Sequence, residues 1–288
     1  MSYIIEHATL YQGGKWMDTA LSVKNNKIFT IHTSVERMSG IRMDFSRFIM
    51  TPPYTFLEFQ PQNLTDKEYV KERLILRGAA CVMAVPRIQY ACELAKALHG
   101  VQNMLEHFPL DIVKGIRLPC SAFTPDFILK CKKNRIAVIF IEISKNDQLE
   151  TVPWEWIRQN AFPYNPVLVP VMDSEHFLNE WDSRLSRLGI KHLTHCPAGD
   201  RPLSEAVLKT FGIYPFKGFL HSGGEISYNL FEKLDGEELL PGIFSGGYDR
   251  LVVTVLDGKL IRAGQRVDTE GLRGRELVIR VPGFFTAS

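Results

Sequence analysis

The chain has 288 residues, 45% of them hydrophobic, which is enough for one large core or two smaller ones. With 34 basic and 32 acidic residues interspersed, and a net charge of only +2, it lacks the electrostatic footprint of a nucleic-acid binder. No apolar run reaches the roughly 18–20 residues that span a bilayer, and the N-terminus "MSYIIEHATLYQGG" has no basic and apolar leader pattern, so a cytoplasmic protein is expected, without a membrane partner. Five cysteines (Cys81, Cys92, Cys120, Cys131 and Cys196) form no C-x-x-C pair and read as reduced thiols, four of them as small buried hydrophobes.

In chain order, residues 1–46 alternate short β-rich runs with turns. "VKNNKIF" reads as a hairpin in which Asn25 and Asn26 accept positive φ. From residue 47 the grammar becomes strand, helix, strand, helix. "FIMTPPYTFLEF" is expected as a core strand, followed by a helix capped at Thr65 in a box with Glu68. "AACVMAVP" and "DIVKGIRLPC" are further strands, and "TPDFILKCKKN" is a helix with Thr124 as cap and Pro125 at its first position. "RIAVIFIEIS", apolar on both faces, reads as a parallel strand covered on both sides. "PWEWIRQNAF", "PVLVPVMD", "SEHFLNEWDSRLSRLG", "KHLTHCP" and "PLSEAVLKTFG" complete six strand-helix units by residue 212. After residue 213 the β grammar returns, with a D-G hairpin in "LVVTVLDGKLIRAG". Alternation of this kind predicts an α/β core with parallel strands, as in a barrel or a doubly wound sheet, and one small β domain assembled from both ends of the chain.

Three stretches carry a resemblance to a known family. "ATLYQGGKWMDTALSVKNNKIFTI" is similar to the opening strands of the amidohydrolase superfamily, in particular its dihydroorotase-like and N-acetylglucosamine-6-phosphate deacetylase-like members. "FKGFLHSGGEISYNLFE" resembles the family's K-G-x-I-x-x-G closing motif, and "YDRLVVTVLDGKLIRAGQRV" its final hairpin. The resemblance implies a split β-sandwich from residues 1–46 and 213–288, beside a metal-bearing α/β barrel at 47–212. A (β/α)8 barrel takes at least about 200 residues, and that segment is shorter, so a truncated TIM-like barrel is expected.

The family's first barrel strand carries P-G-x-I-D-x-H-x-H. Laid on "PPYTFLEFQ", that motif puts Phe56 at the aspartate and Glu58 and Gln60 at the two histidines, on one face of the strand by alternation. "KGIRLP" resembles the lysine-bearing stretch, with Arg117 at the lysine position and Lys114 three residues early. Glu142 stands where another histidine ligand is expected, and "LTHCPAGD" resembles T-D-H-A-P with Thr194 for the aspartate and His195 and Pro197 retained. A second register makes His176 and His195 the strand-five and strand-six histidines.

These substitutions lead to a first expectation, a chain without metal or catalysis that binds or assembles with a protein partner or another copy of itself. A second is a divalent-metal hydrolase, zinc being the expected ion, that cleaves a cyclic amide or related C–N bond at a rebuilt site of Glu58, Glu142 and His195, with His176 as a further ligand. Carboxylate and imidazole are ordinary ligands for such an ion. A third is a sensor of small carboxylates using Arg117, with Lys114 and Gln60 beside it. Cys196 next to His195 looks like a nucleophile pair, but adjacent strand residues point to opposite faces, and a strand end with one buried and one solvated histidine is the plainer reading. Of Trp154 and Trp156, one is expected at the surface.

Overall fold

Pro52 and Pro53 divide the run "FIMTPPYTFLEF" between two sheets, because neither can donate a ladder hydrogen bond. The computed structural model describes residues 2–32, 39–172, 177–234 and 248–283. In chain order the strands are β1 (Ser2–Gln12), β2 (Lys15–Lys24), β3 (Lys27–His32), β4 (Ile41–Asp44), β5 (Phe48–Thr51), β6 (Tyr54–Glu58), β7 (Ala79–Ala84), β8 (Asp111–Pro119), β9 (Val138–Ile143), β10 (Val167–Met172), β11 (Tyr228–Glu232), β12 (Leu251–Leu256), β13 (Lys259–Ala263) and β14 (Arg266–Val267). The α-helices are α1 (Lys67–Arg73), α2 (Leu94–Leu105), α3 (Pro125–Lys133), α4 (Trp154–Ala161), α5 (Leu178–Leu188) and α6 (Glu205–Phe211). The expected single strand is thus β5 and β6, and the helix expected to be capped at Thr65 begins instead at Lys67. A 3₁₀ turn over Pro61–Thr65 takes up that cap position, and the Thr65 hydroxyl donates to the Gln62 carbonyl within it. No helix among the described residues is long and apolar enough to cross a membrane.

The chain is mixed α/β and divides into two compact units. One comprises Met1–Thr55, Lys67–Ala80 and Pro215–Gly271. Its nine-stranded sheet runs β14-β13-β12-β11-β5-β1-β2-β3, with β4 also paired to β1. Most of its ladders are antiparallel, while β1 runs parallel to β4 and β5. Both predicted hairpins form on the residues that permit them: Asn25 and Asn26 have φ of 53° and 59°, and Asp257 and Gly258 of 47° and 75°. Ile5, Leu10, Leu21, Met50, Ile226 and Leu230 form part of its core.

The second unit comprises Phe56–Asp66, Cys81–Tyr214 and Leu272–Ser288. Its parallel sheet has the order β10-β9-β8-β7-β6 and is open, where an eight-stranded barrel would close. A short sixth pairing continues it at His192: the Leu168 N–H donates to Lys191 O, and the Leu193 N–H to Leu168 O, both at 2.9 Å. Both faces are apolar, as the covered position of parallel strands requires. Ile116, Leu118, Ile139 and Ile141 pack under α2–α5, with Trp154 and Trp181 fully buried among them. Met83, Val85, Val113, Val138, Phe140 and Val169 form the opposite, inward face with Phe211 and Ile213. Thr124 caps α3 by accepting the Phe127 N–H, Pro125 opens that helix, and Trp156 is the exposed tryptophan of α4.

Candidate functional site

At the C-terminal ends of the parallel strands, the apolar sequence of the sheet gives way to charge. In βα architectures this is the end where side chains from successive strands converge above the core. Glu142, on the inward face of β9 two residues beyond Phe140, accepts from Arg87 in a two-pronged arrangement, Nε to Oε1 at 2.7 Å and Nη2 to Oε2 at 2.8 Å. Arg117, at the end of β8, places its Nε 2.6 Å from the same Oε1. Its guanidinium also lies 5.2 Å from the centroid of the Phe59 ring, and Phe59 meets Phe140 edge to face at 5.2 Å. Burial opposes charge on Glu142, but the Arg87 hydrogen bonds and the two guanidinium charges prevail and hold its pKa below the ordinary glutamate value.

The phase of β6 differs from the one the family pattern implies. Leu57 and Phe59 lie with the inward face, against Val138 and Phe140. Glu58 is one residue out of step with them and therefore on the other face. It is buried, and its Oε1 accepts the Gln60 backbone N–H at 2.7 Å. Gln60 is exposed and faces a cavity that reaches α2.

The expected cluster is therefore only partly assembled. The structure brings Arg117 to Glu142, but Glu58 and His195 do not join them, and among the described residues no three His, Cys, Asp or Glu side chains lie close enough to hold a metal. His176 lies outside the described residues. Lys114 is tied elsewhere, its Nζ donating to Glu276 Oε2 at 2.7 Å and Gln102 Oε1 at 3.1 Å. His195 is exposed and bonded through Nδ1 to the Thr194 hydroxyl at 2.9 Å. His192 is the less exposed member of the histidine pair, bonded to Asp182 and the Ile190 carbonyl. Cys196 does not form a nucleophile pair: burial pushes its thiol up to about 11 despite the Arg117 charge, and its Sγ is directed at the Pro197 carbonyl.

Above this cluster is a cavity of about 700 Å³, lined from β6 to β8 by Phe59, Gln60, Arg87, Ile88 and Arg117, and by the facing residues of α2. The sequence reading missed Arg87. The available signal was its position immediately after the apolar strand "AACVMAVP", where a lone arginine at a parallel strand's C-terminal end is a site position.

Among the described residues the donor set does not fit a catalytic metal. The two inward positions at the end of β6 are Leu57 and Phe59, and Glu142, the inward carboxylate near them among the described residues, is neutralised by two arginines that a dication would have to displace.

No family model and no curated protein sequence matches the chain. Its fold does match solved structures. It is similar to a dihydropyrimidinase from Brevibacillus agri, with TM-score 0.67 and 9% identity over 98% of this chain and 99% of that one. A D-hydantoinase gives TM-score 0.67 at 11% identity over 97% and 99% of the two chains. A triazine hydrolase variant gives 0.56 at 11% over 93% and 96%. With five parallel strands in an open sheet, this chain shares the fold of these solved structures.

Proposed function

We propose that the chain is a non-catalytic relative of the hydantoinase-like enzymes, in which the fold has been kept for binding and the metal centre has been lost. The five-stranded sheet with its residual pairing at His192 is then the remnant of a (β/α) barrel, and the nine-stranded sheet is the split sandwich contributed by both termini. The observation that carries this reading is the Arg87–Glu142–Arg117 cluster, which sets two fixed cations where the family's hydrolases would need anionic or neutral metal ligands. Apolar Leu57 and Phe59 at the inward end of β6 support it. The free cysteines fit a protein of the reducing cytoplasm, and a protein partner or a second copy is the expected assembly.

The test is elemental analysis of protein purified without chelators, with turnover assays on hydantoin and dihydrouracil in added zinc or manganese. Substoichiometric metal and no turnover are expected. Stoichiometric zinc, manganese or iron that disappears in Glu142→Ala and His195→Ala, together with ring opening, would establish the rebuilt hydrolase instead.

A further inference from the structure

We propose that the cavity between the strand ends and α2 binds a small organic carboxylate with an apolar body, its carboxylate held by Arg87 and Arg117. The inference rests on the binding reading above and adds to it the ligand's class and seat. It begins with a surplus of donors. Each guanidinium carries five N–H groups, yet the pair shares one carboxylate: both Nε atoms converge on Glu142 Oε1, and Oε2 takes only Arg87 Nη2. Arg87 Nη1 and both terminal nitrogens of Arg117 have no protein acceptor among the described residues, and both side chains line the cavity.

The charge balance points the same way. Arg87, Arg117, Lys96 and Glu93 line the cavity, Glu142 is paired with the two arginines, and Glu93 is already occupied by the backbone N–H groups of Gln89 and Tyr90 at 2.7 and 3.1 Å. Three cations against two carboxylates leave room for one negative charge. A planar carboxylate matches the guanidinium fork.

The rest of the wall selects the ligand's other end. Ile88 and Val101 are buried beneath the cavity, with Ala97, Met104 and the Phe59 ring beside them. A volume of about 700 Å³ lies within the range of small-molecule sites. A bare anion such as phosphate would satisfy the arginines and leave this apolar wall wet, whereas an aryl or alkyl carboxylate covers both.

The test is calorimetric titration of the full chain with phenylacetate, indole-3-acetate and hexanoate, each paired with its neutral amide, and with inorganic phosphate. At least one acid is expected to bind about tenfold or more tightly than its amide and than phosphate. Arg87→Gln, at a half-exposed side chain that leaves Arg117 on Glu142, should weaken that acid about tenfold, and Lys96→Gln about threefold. Ala97→Trp, which fills the apolar end without changing charge, should abolish binding. The proposal is overturned if no acid binds, if acid and amide bind alike, if phosphate binds as well as the acids, or if folded Arg87→Gln and Ala97→Trp bind like the unaltered chain. Each of these results stands apart from the metal analysis, which decides the non-catalytic reading by itself.

Discussion

Two polar clusters, one in each unit, solve the problem of polar groups near a core in opposite ways. In the antiparallel unit Asn229 has no exposed surface; its Nδ2 donates to the Gly78 carbonyl at 3.0 Å, and its Oδ1 accepts the Thr254 hydroxyl at 2.8 Å. Arg262, 3% exposed and with burial lowering its pKa, donates from Nε to the Gly264 carbonyl and from Nη1 to the Leu76 carbonyl. In the parallel unit two arginines crowd one glutamate beside an open cavity and keep donors to spare. A buried polar group left unmatched costs about 1–3 kcal/mol, so the first cluster has to close on itself. In the second, Arg87 is half-exposed, and water can serve its spare donors until a ligand does. A closed set of partners marks a structural cluster, and an open one marks a place for something to bind.

The sharpest way to break this contrast is at Gly78. Its φ is +76°, and a Cβ there would lie 2.4 Å from Asn229 Nδ2. Strain in the left-handed region combined with displacement of the Asn229 amide should cost about 3 kcal/mol in Gly78→Ala, read as a lowered urea midpoint. Asn229→Ala should cost about 2 kcal/mol, because it leaves the Thr254 hydroxyl without its acceptor in the core and takes one of two donors from the Gly78 carbonyl, which keeps the Tyr54 N–H. A midpoint unchanged in either variant would show that the cluster is not the closed structural device described.

Much of the architecture was legible from local chemistry. Thr124 and Pro125 opened a helix, the Asn25-Asn26 and Asp257-Gly258 pairs turned hairpins, and the alternation of strand and helix placed the parallel sheet. The site was legible only in part. Arg117 and Glu142 were expected near one mouth and do meet, and Gln60 lines the cavity beside Arg117, but Leu57 and Phe59 take the inward positions of β6 where Glu58 and Gln60 were expected. A parallel strand covered on both faces is apolar on both, so periodicity cannot say which face points inward, and a slip of one residue exchanges the faces. Here packing on Phe140 decides for Leu57 and Phe59. Glu58 could be buried because a backbone N–H two residues on supplies its hydrogen bond, a local satisfaction that residue type alone does not announce. Arg87 escaped notice for a different reason: its partner Glu142 is 55 residues away, and only the parallel register of adjacent strands brings the two together.

The smallest expected effect tests the open cluster from its anionic side. Glu142→Gln removes the charge the two arginines share while keeping an acceptor of similar shape. The side chain is about one-fifth exposed and Arg87 about half, so screening limits the loss to about 0.5–1 kcal/mol at pH 7. The pH dependence has a definite sign. The folded pKa of Glu142 is depressed, so its contribution is present above the unfolded value near 4.5 and is lost as pH falls through the folded one. The difference in urea midpoint between Glu142→Gln and the unaltered chain should therefore hold from pH 7 to about 5 and vanish below that window. Binding should move the other way, since donors released from Glu142 become available to an incoming carboxylate; phenylacetate should bind about threefold more tightly to Glu142→Gln than to the unaltered chain. A variant that loses stability at pH 7 and loses the acid as well would mean that Glu142 positions the arginines for the ligand and does not compete with it.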